Sequence, residues 1–295
     1  MAKSKVEGIK TFKFQIVNIK LKTNKQGLDK EKAYLNLIEK MKTRKIHSSV
    51  AENTHMIIYS AYKRITPVSN TEYIYGLLGK GIYFDNEIIK SLNIEESRDE
   101  IQQSNKNQIL EPKTAEYIFI PKNHKFIFIN STGISVNNIH KFLKESLPKV
   151  ADKGDIVEVE IVKDPKITDE ILNAFEIHSL DYTISYTNDD PTSSVEKLFD
   201  NRLKKLYAGK VTVQLEADNR GHLNMEEPDE LIEGGVKLAE QNGQINQAVI
   251  TKKRGGKKIK LSNKENPRYF DIEATENDYK ESIIGKVINT FKSII

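Results

Sequence analysis

The 295-residue chain contains no cysteine and no tryptophan. Without cysteine there can be no disulfide framework, no Cys-ligated zinc or iron–sulfur centre and no thiol nucleophile. No stretch approaches the ~18–20 consecutive apolar residues that a spanning helix requires. The opening MAKSKVEGIKTFKFQIV has lysines, but its apolar residues alternate with polar ones and no apolar core follows, so it does not read as a signal peptide. A cytoplasmic location is the expectation. Hydrophobic residues make up 38% and aromatics 8%, which describes a polar, folded protein. At this length the chain can bury a core unaided, as one large or two medium domains.

Charge is unevenly spread. The formal net charge is +4, yet residues 1–45 hold 13 basic and 4 acidic side chains, and residues 251–264 hold seven basic and none acidic. The rest of the chain is therefore acidic, at −12. Basic segments of this kind attract polyanions through counterion release, and they also serve simply to solvate a helix face or an edge strand.

The pattern predicts an α+β fold of two domains, each a small, mostly antiparallel sheet with helices packed on it. In residues 1–150, the run TFKFQIVNIKL (11–21) alternates through Phe12, Phe14 and Ile16, then continues through Val17, Ile19 and Leu21, as a strand with a one-residue slip of phase suggesting a bulge. A helix over 29–43 is capped by Asp29. Residues 55–65 and 73–84 are β-rich, and 93–113 is polar enough to read as a long loop or excursion. A hairpin joins Tyr117–Ile120 to Phe126–Ile129, and a helix runs from Ser135 to Leu147. The order disfavours a βαβα series. The boundary is expected in PKVADKGD (148–155). In residues 151–295 the pattern gives a strand at 156–162, a helix near 168–175 capped by Thr168 or Asp169, strands near 180–186 and 211–215, and helices at 195–207 and 228–242. It then predicts a basic hairpin at 248–261, a strand at 269–273 and an amphipathic terminal helix over 279–294.

Lys252, Lys253 and Arg254 on one arm of that hairpin, and Lys257, Lys258 and Lys260 on the other, form the clearest binding candidate. A two-stranded ribbon can follow a nucleic-acid backbone, and with Arg254 as its only guanidinium it would contact phosphates without specifying bases. Arg202, Lys204 and Lys205 could extend the surface or simply solvate their helix. Asn188-Asp189-Asp190-Pro191 offers hard oxygen ligands to a divalent metal, but Asn, Asp and Pro equally build turns. Glu158 with Glu160, and Asp271 with Glu273, share strand faces without forming a nuclease arrangement. The six histidines (His47, His55, His124, His140, His178, His222) show no His-Glu-X-X-His or His-X-His spacing. Gly76, Gly79 and Gly81 in GLLGKG lack the phosphate-loop spacing and suggest a hairpin or bulge instead. No catalytic residue, metal site or cofactor is expected. On the terminal helix, Ile284, Val287, Ile288 and Phe291 make an apolar face for a partner, for a second copy or for the chain's own sheet, with a membrane surface less favoured.

TFKFQIVNIKL, DYTISYTNDDP and GGVKLAEQNGQINQAVI together resemble an uncharacterised bacterial domain family whose members occur in accessory genome regions near phage-defence genes. The loop departs from that family's version, which carries an additional proline. The layout is also similar to Rex-type and Kiwa-type DNA-binding defence proteins. The resemblance carries over no catalytic residue. It implies a component of an antiviral defence system, a sensor or scaffold that binds nucleic acid, DNA above RNA, sequence-independently. Such a component would be homo-oligomeric or work with a second defence protein. The alternatives are a metal-dependent nuclease or RNase-type toxin using Asp189 and Asp190, and an interaction module working through the terminal helix.

Overall fold

A computed structural model describes residues 9–23, 29–65, 70–84, 88–93, 98–103, 108–129, 133–185, 201–203, 205–206, 209–224, 230–264, 266–275 and 284–288. The architecture is α+β with antiparallel pairing throughout. The larger, eight-stranded sheet has the order β14-β1-β8-β7-β4-β3-β2, with β9 also paired to β1. Its strands are β1 (Ile9–Lys22), β2 (His47–Ala51), β3 (Thr54–Ile65), β4 (Glu72–Phe84), β7 (Gln108–Ile120), β8 (Lys125–Ile129), β9 (Ile156–Ile161) and β14 (Tyr269–Thr275).

β1 has no bulge. Its pairing shows no register shift, running with β14 from Ile9 opposite Thr275 to Gln15 opposite Tyr269 and with β9 from Val17 opposite Ile161 to Lys22 opposite Ile156. The apparent slip of phase has another origin: the strand is buried on both faces. Phe14 and Ile16 point to one side, into a cluster with Ile118, Ile127, Ile272 and Val287. Val17, Ile19 and Leu21 point to the other, beneath the helices α1 (Lys30–Thr43) and α2 (Val136–Ser146). Both helices start where the sequence says. The Asp29 side chain accepts from Lys32 N, and Ser135 forms a capping box with Asn138, each satisfying amides that the first turn leaves over.

Residues 93–113, expected as a loop or excursion, contain paired backbone. β5 (Ile88–Asn93) and β6 (Arg98–Gln103) form a two-stranded sheet of their own, and β7 already pairs with β4 at Gln108. Ladder hydrogen bonds need no apolar periodicity, so a polar ribbon escapes a reading based on burial.

The GLLGKG glycines lie inside β4, opposite a register shift between Ile58 and Ser60 on β3. A Cβ on Gly76 would lie 1.9 Å from the Ser60 carbonyl oxygen and 2.9 Å from the Tyr117 ring. Tyr117, fully buried, uses that space to donate its hydroxyl to Ser60 O at 3.1 Å. Burial pushes the phenol pKa far above its ordinary value, so it serves as a permanent donor.

The second sheet, β11-β10-β12-β13, comprises β10 (Glu176–Ser185), β11 (Lys210–Glu216), β12 (Gly243–Thr251) and β13 (Ile259–Leu261). Its core gathers Ile171 of α3 (Pro165–Leu172), Val236 and Ala239 of α4 (Gly235–Asn242), and Tyr182, Ile245 and Ile250 of the strands. α3 begins earlier than expected, because Asp164, followed by Pro165 at the first helical position, is the cap instead of Thr168 or Asp169. The expected boundary at residue 150 does not separate the two sheets, since β9 and β14 both return to flank β1. A polar seam joins the sheets. The ammonium of Lys20, fully buried, donates to Ser185 Oγ at 3.0 Å, and Ser185 Oγ donates to Asn242 O at 2.7 Å.

Replacing Gly76 with Ala should lower the unfolding midpoint by the equivalent of about 1–3 kcal/mol, the usual cost of overpacking. Urea titration of the variant checks this, and an unchanged midpoint would mean that β3 and Tyr117 yield freely.

Candidate nucleic-acid interface

The basic hairpin is held at its root. Thr251 ends β12 almost fully buried, and its carbonyl accepts from Phe175 N at 2.9 Å. The His178 ring sits between Gly221 O and Thr251 Oγ1. A carbonyl can only accept, so Nδ1–H donates to Gly221 O and, in the neutral ring, Nε2 accepts from the Thr251 hydroxyl. The turn itself is closed by Gly256 N donating to Lys253 O at 2.9 Å, with Gly255 left-handed at φ 67°. A positive φ at the third turn position is the demand of a type II turn and explains the glycine. Beyond it, β13 pairs with β12 only over Ile259–Leu261, so Lys257 and Lys258 lie outside the ladder.

Of the six hairpin cations, Lys252 is committed: its Nζ lies 2.9 Å from the Glu170 carboxylate on α3. Lys253, Arg254, Lys257, Lys258 and Lys260 are exposed, and among the described residues none of them has an acidic partner. Register places Ile259 opposite Ile250 on the core side and Lys260 opposite Val249 on the other side. That outer side is polar. Asn246 donates to Asp181 at 2.8 Å and to Thr183 at 3.0 Å, and Thr183 meets Thr212 at 3.1 Å. Its described residues present no aromatic ring, so the stacking on which single strands depend has no platform there.

The other basic candidates fare differently. Arg202 and Lys205 are exposed, while Lys204 lies outside the described residues. The basic N-terminal segment offers less free charge than its count suggests: Lys13, Lys42, Arg44 and Lys45 are exposed without an acidic partner among the described residues, but three other lysines are committed. Lys20 is buried in the seam, Lys32 pairs with Asp29 at 3.1 Å, and Lys40 pairs with Asp152 at 2.8 Å. Ile284, Val287 and Ile288 pack against the larger sheet with Phe14 and Ile16, which is the docking on the chain's own sheet weighed above. A partner could reach them only by peeling the helix away. Phe291, Asp189 and Asp190 lie outside the described residues, and among those described no three His, Asp or Glu side chains gather as a metal site.

A family model described as Domain of unknown function (DUF4747) matches residues 10–289. The chain belongs to this family. No curated protein matches the sequence. The DUF4747 match runs from β1 past the terminal helical segment 284–288, so both sheets, the seam and the basic hairpin lie inside the shared unit.

Sequence spacing missed one cluster in this DUF4747 chain. His47 and His55, on neighbouring strands, approach Nδ1 to Nδ1 at 2.8 Å, and the Tyr83 ring stacks on His55 at 4.1 Å between centroids. One ring must donate and the other accept, so the contact needs at least one neutral imidazole. Burial and then Lys149 hold the His47 pKa below its ordinary 6.5, and burial, His47 and Lys149 do the same for His55. His140, which donates to Val159 O at 2.9 Å, is lowered chiefly by burial. A histidine with a lower pKa in the fold binds its proton more tightly once unfolded. The stability it contributes is therefore present above pH 6.5 and is lost as pH falls from there through the folded-state values. Thermal unfolding should show a lower midpoint at pH 5.5 than at pH 7.5, with a smaller difference in His140→Phe. Equal midpoints in the wild type would show that these rings titrate alike in both states.

Proposed function

We propose that this chain binds double-stranded nucleic acid, with DNA favoured, through the turn between β12 and β13 and without reading sequence. The observation that carries the reading is the set of five exposed cations in and just beyond a tight turn, without an acidic partner among the described residues, on a hairpin whose base is fixed by Thr251 and His178. Paired surface charges have little to offer a polyanion, whereas cations without partners release counterions from a phosphate backbone on contact. Lysine acts as a point charge, and Arg254 alone could make the bidentate contact to guanine on which base reading commonly rests. Among the described residues the adjoining polar face presents no Phe, Tyr or Trp ring, which favours a duplex backbone over an unstacked single strand.

The role as sensor or scaffold in bacterial antiviral defence rests on the resemblance drawn from the three sequence segments. In that role, occupancy of the hairpin by DNA would be passed to a second copy or a second protein.

Fluorescence anisotropy with unrelated duplexes of equal length tests the binding. Affinities should agree within a few-fold across sequences, and log K should fall against log salt with a slope of about −4 to −5 if all five cations engage phosphates. Replacing Lys253, Arg254, Lys257, Lys258 and Lys260 together by Gln should abolish binding while leaving the unfolding midpoint in place, because all five side chains are exposed. Unchanged binding by that variant, or no binding by the wild type at 50 mM salt, would overturn the reading.

A further inference from the structure

Where β9 ends and β14 begins, the two strands flanking β1 leave a one-residue gap beside Ile16. It is bridged by Val162 N donating to Ile16 O at 3.1 Å and Arg268 N donating to Val162 O at 2.9 Å. Over this gap lies a pocket of about 240 Å³, walled by Gln15, Ile161, Lys163, Pro267 and Tyr269 and by the first residues of α2. At roughly 30 Å³ per water, that space holds several waters or one small ion with its hydration.

Three groups converge on it with one sign. The first is the start of α2, an eleven-residue helix. Its capping box occupies the N–H groups of Ser135 and Asn138, and the amides of Val136 and Asn137 have no acceptor among the described residues. Amides at this end of a helix carry partial positive charge. The second is Lys163, 5% exposed, whose ammonium is anchored by a 2.8 Å bond to Lys264 O. The third is Gln15, 2% exposed, whose side-chain nitrogen is buried with no hydrogen-bond partner. Gln15 shares the strand face of Val17 and Ile19, so its amide points from β1 toward α2. Among the described residues lining the pocket none is acidic.

An unsatisfied buried amide N–H is costly to a fold and stands where an acceptor is missing. Backbone amides, an ammonium and a carboxamide N–H all donate, and all favour negative charge. We propose that this pocket binds a phosphate-type oxyanion, taken either as the free ion or as the terminal group of a phosphate monoester. The site lies apart from the β12–β13 turn and does not depend on the nucleic-acid reading.

The test is the unfolding midpoint of the full chain in rising inorganic phosphate, with ionic strength held constant by chloride. The midpoint should rise with phosphate and keep rising by mass action, by about 3 °C at ten times the dissociation constant. Adenosine monophosphate against adenosine separates the two sources. A rise with the monophosphate and none with the nucleoside extends the site to monoesters, while a rise with inorganic phosphate alone restricts it to the free ion. Asn137→Asp places a carboxylate at the helix start, where it should raise the midpoint without phosphate and abolish the phosphate response. Gln15→Leu removes the unsatisfied amide and should also lose the response. If that variant fails to fold, the exposed Asn137 position still decides the matter. The five-fold hairpin variant should keep the full response. No midpoint rise in the wild type, an undiminished rise in Asn137→Asp, or loss of the rise in the hairpin variant would overturn the proposal.

Discussion

The arrangement depends on one strand being buried on both of its faces. β1 is hydrogen-bonded to β8 along one edge and to β14 and then β9 along the other. One side of it supports α1 and α2, and the other receives the terminal helical segment and, further along, the seam with the second sheet. Three separate parts of the chain therefore take their position from fourteen residues. The candidate oxyanion pocket is a by-product of the same geometry, because it opens where two flanking strands fail to meet along a common edge.

The seam shows how two sheets can dock in one register. An ammonium stripped of water is expensive unless its hydrogen bonds are replaced. Lys20 meets that demand with Ser185, which in turn bonds to the carbonyl that ends α4. An apolar contact tolerates sliding, whereas a buried charge with a fixed acceptor penalises it. Such a residue adds directional choice to a contact that hydrophobic burial alone would leave loose.

Local patterns were readable wherever the determinants were local. Asp29 and Ser135 announce their helices by their own chemistry, and the Tyr117–Ile129 hairpin follows from alternation around a proline-marked turn. The reading of β1 failed because period-two alternation assumes a single buried face. Asn18 and Lys20, at positions of the same parity as Phe14 and Ile16, were the visible trace of a polar contact on an otherwise apolar side. The pairing of β9 and β14 with β1 depends on shape and register across more than a hundred residues, which no local periodicity encodes. At the hairpin the residue types were legible, but the pairing of Lys252 with Glu170 was not. The same limit hid the neutralisation of Lys32 and Lys40, so segment charge overstated the free basic surface of the N-terminal region. The oxyanion pocket had no signature at all, since Gln15, Asn137 and Lys163 are distant in sequence and ordinary in type.

The closing strand of the larger sheet is also among the last to be made. β14 covers the outer edge of the first half of β1, and about 250 residues separate them. At ribosomal rates of about 5–20 residues per second, that edge waits roughly 10–50 s for its partner. Throughout this interval a strand carrying Phe12, Phe14 and Ile16 presents unpaired backbone groups to its surroundings. Nascent chains on one messenger are therefore exposed to mutual strand pairing for longer than the finished fold suggests.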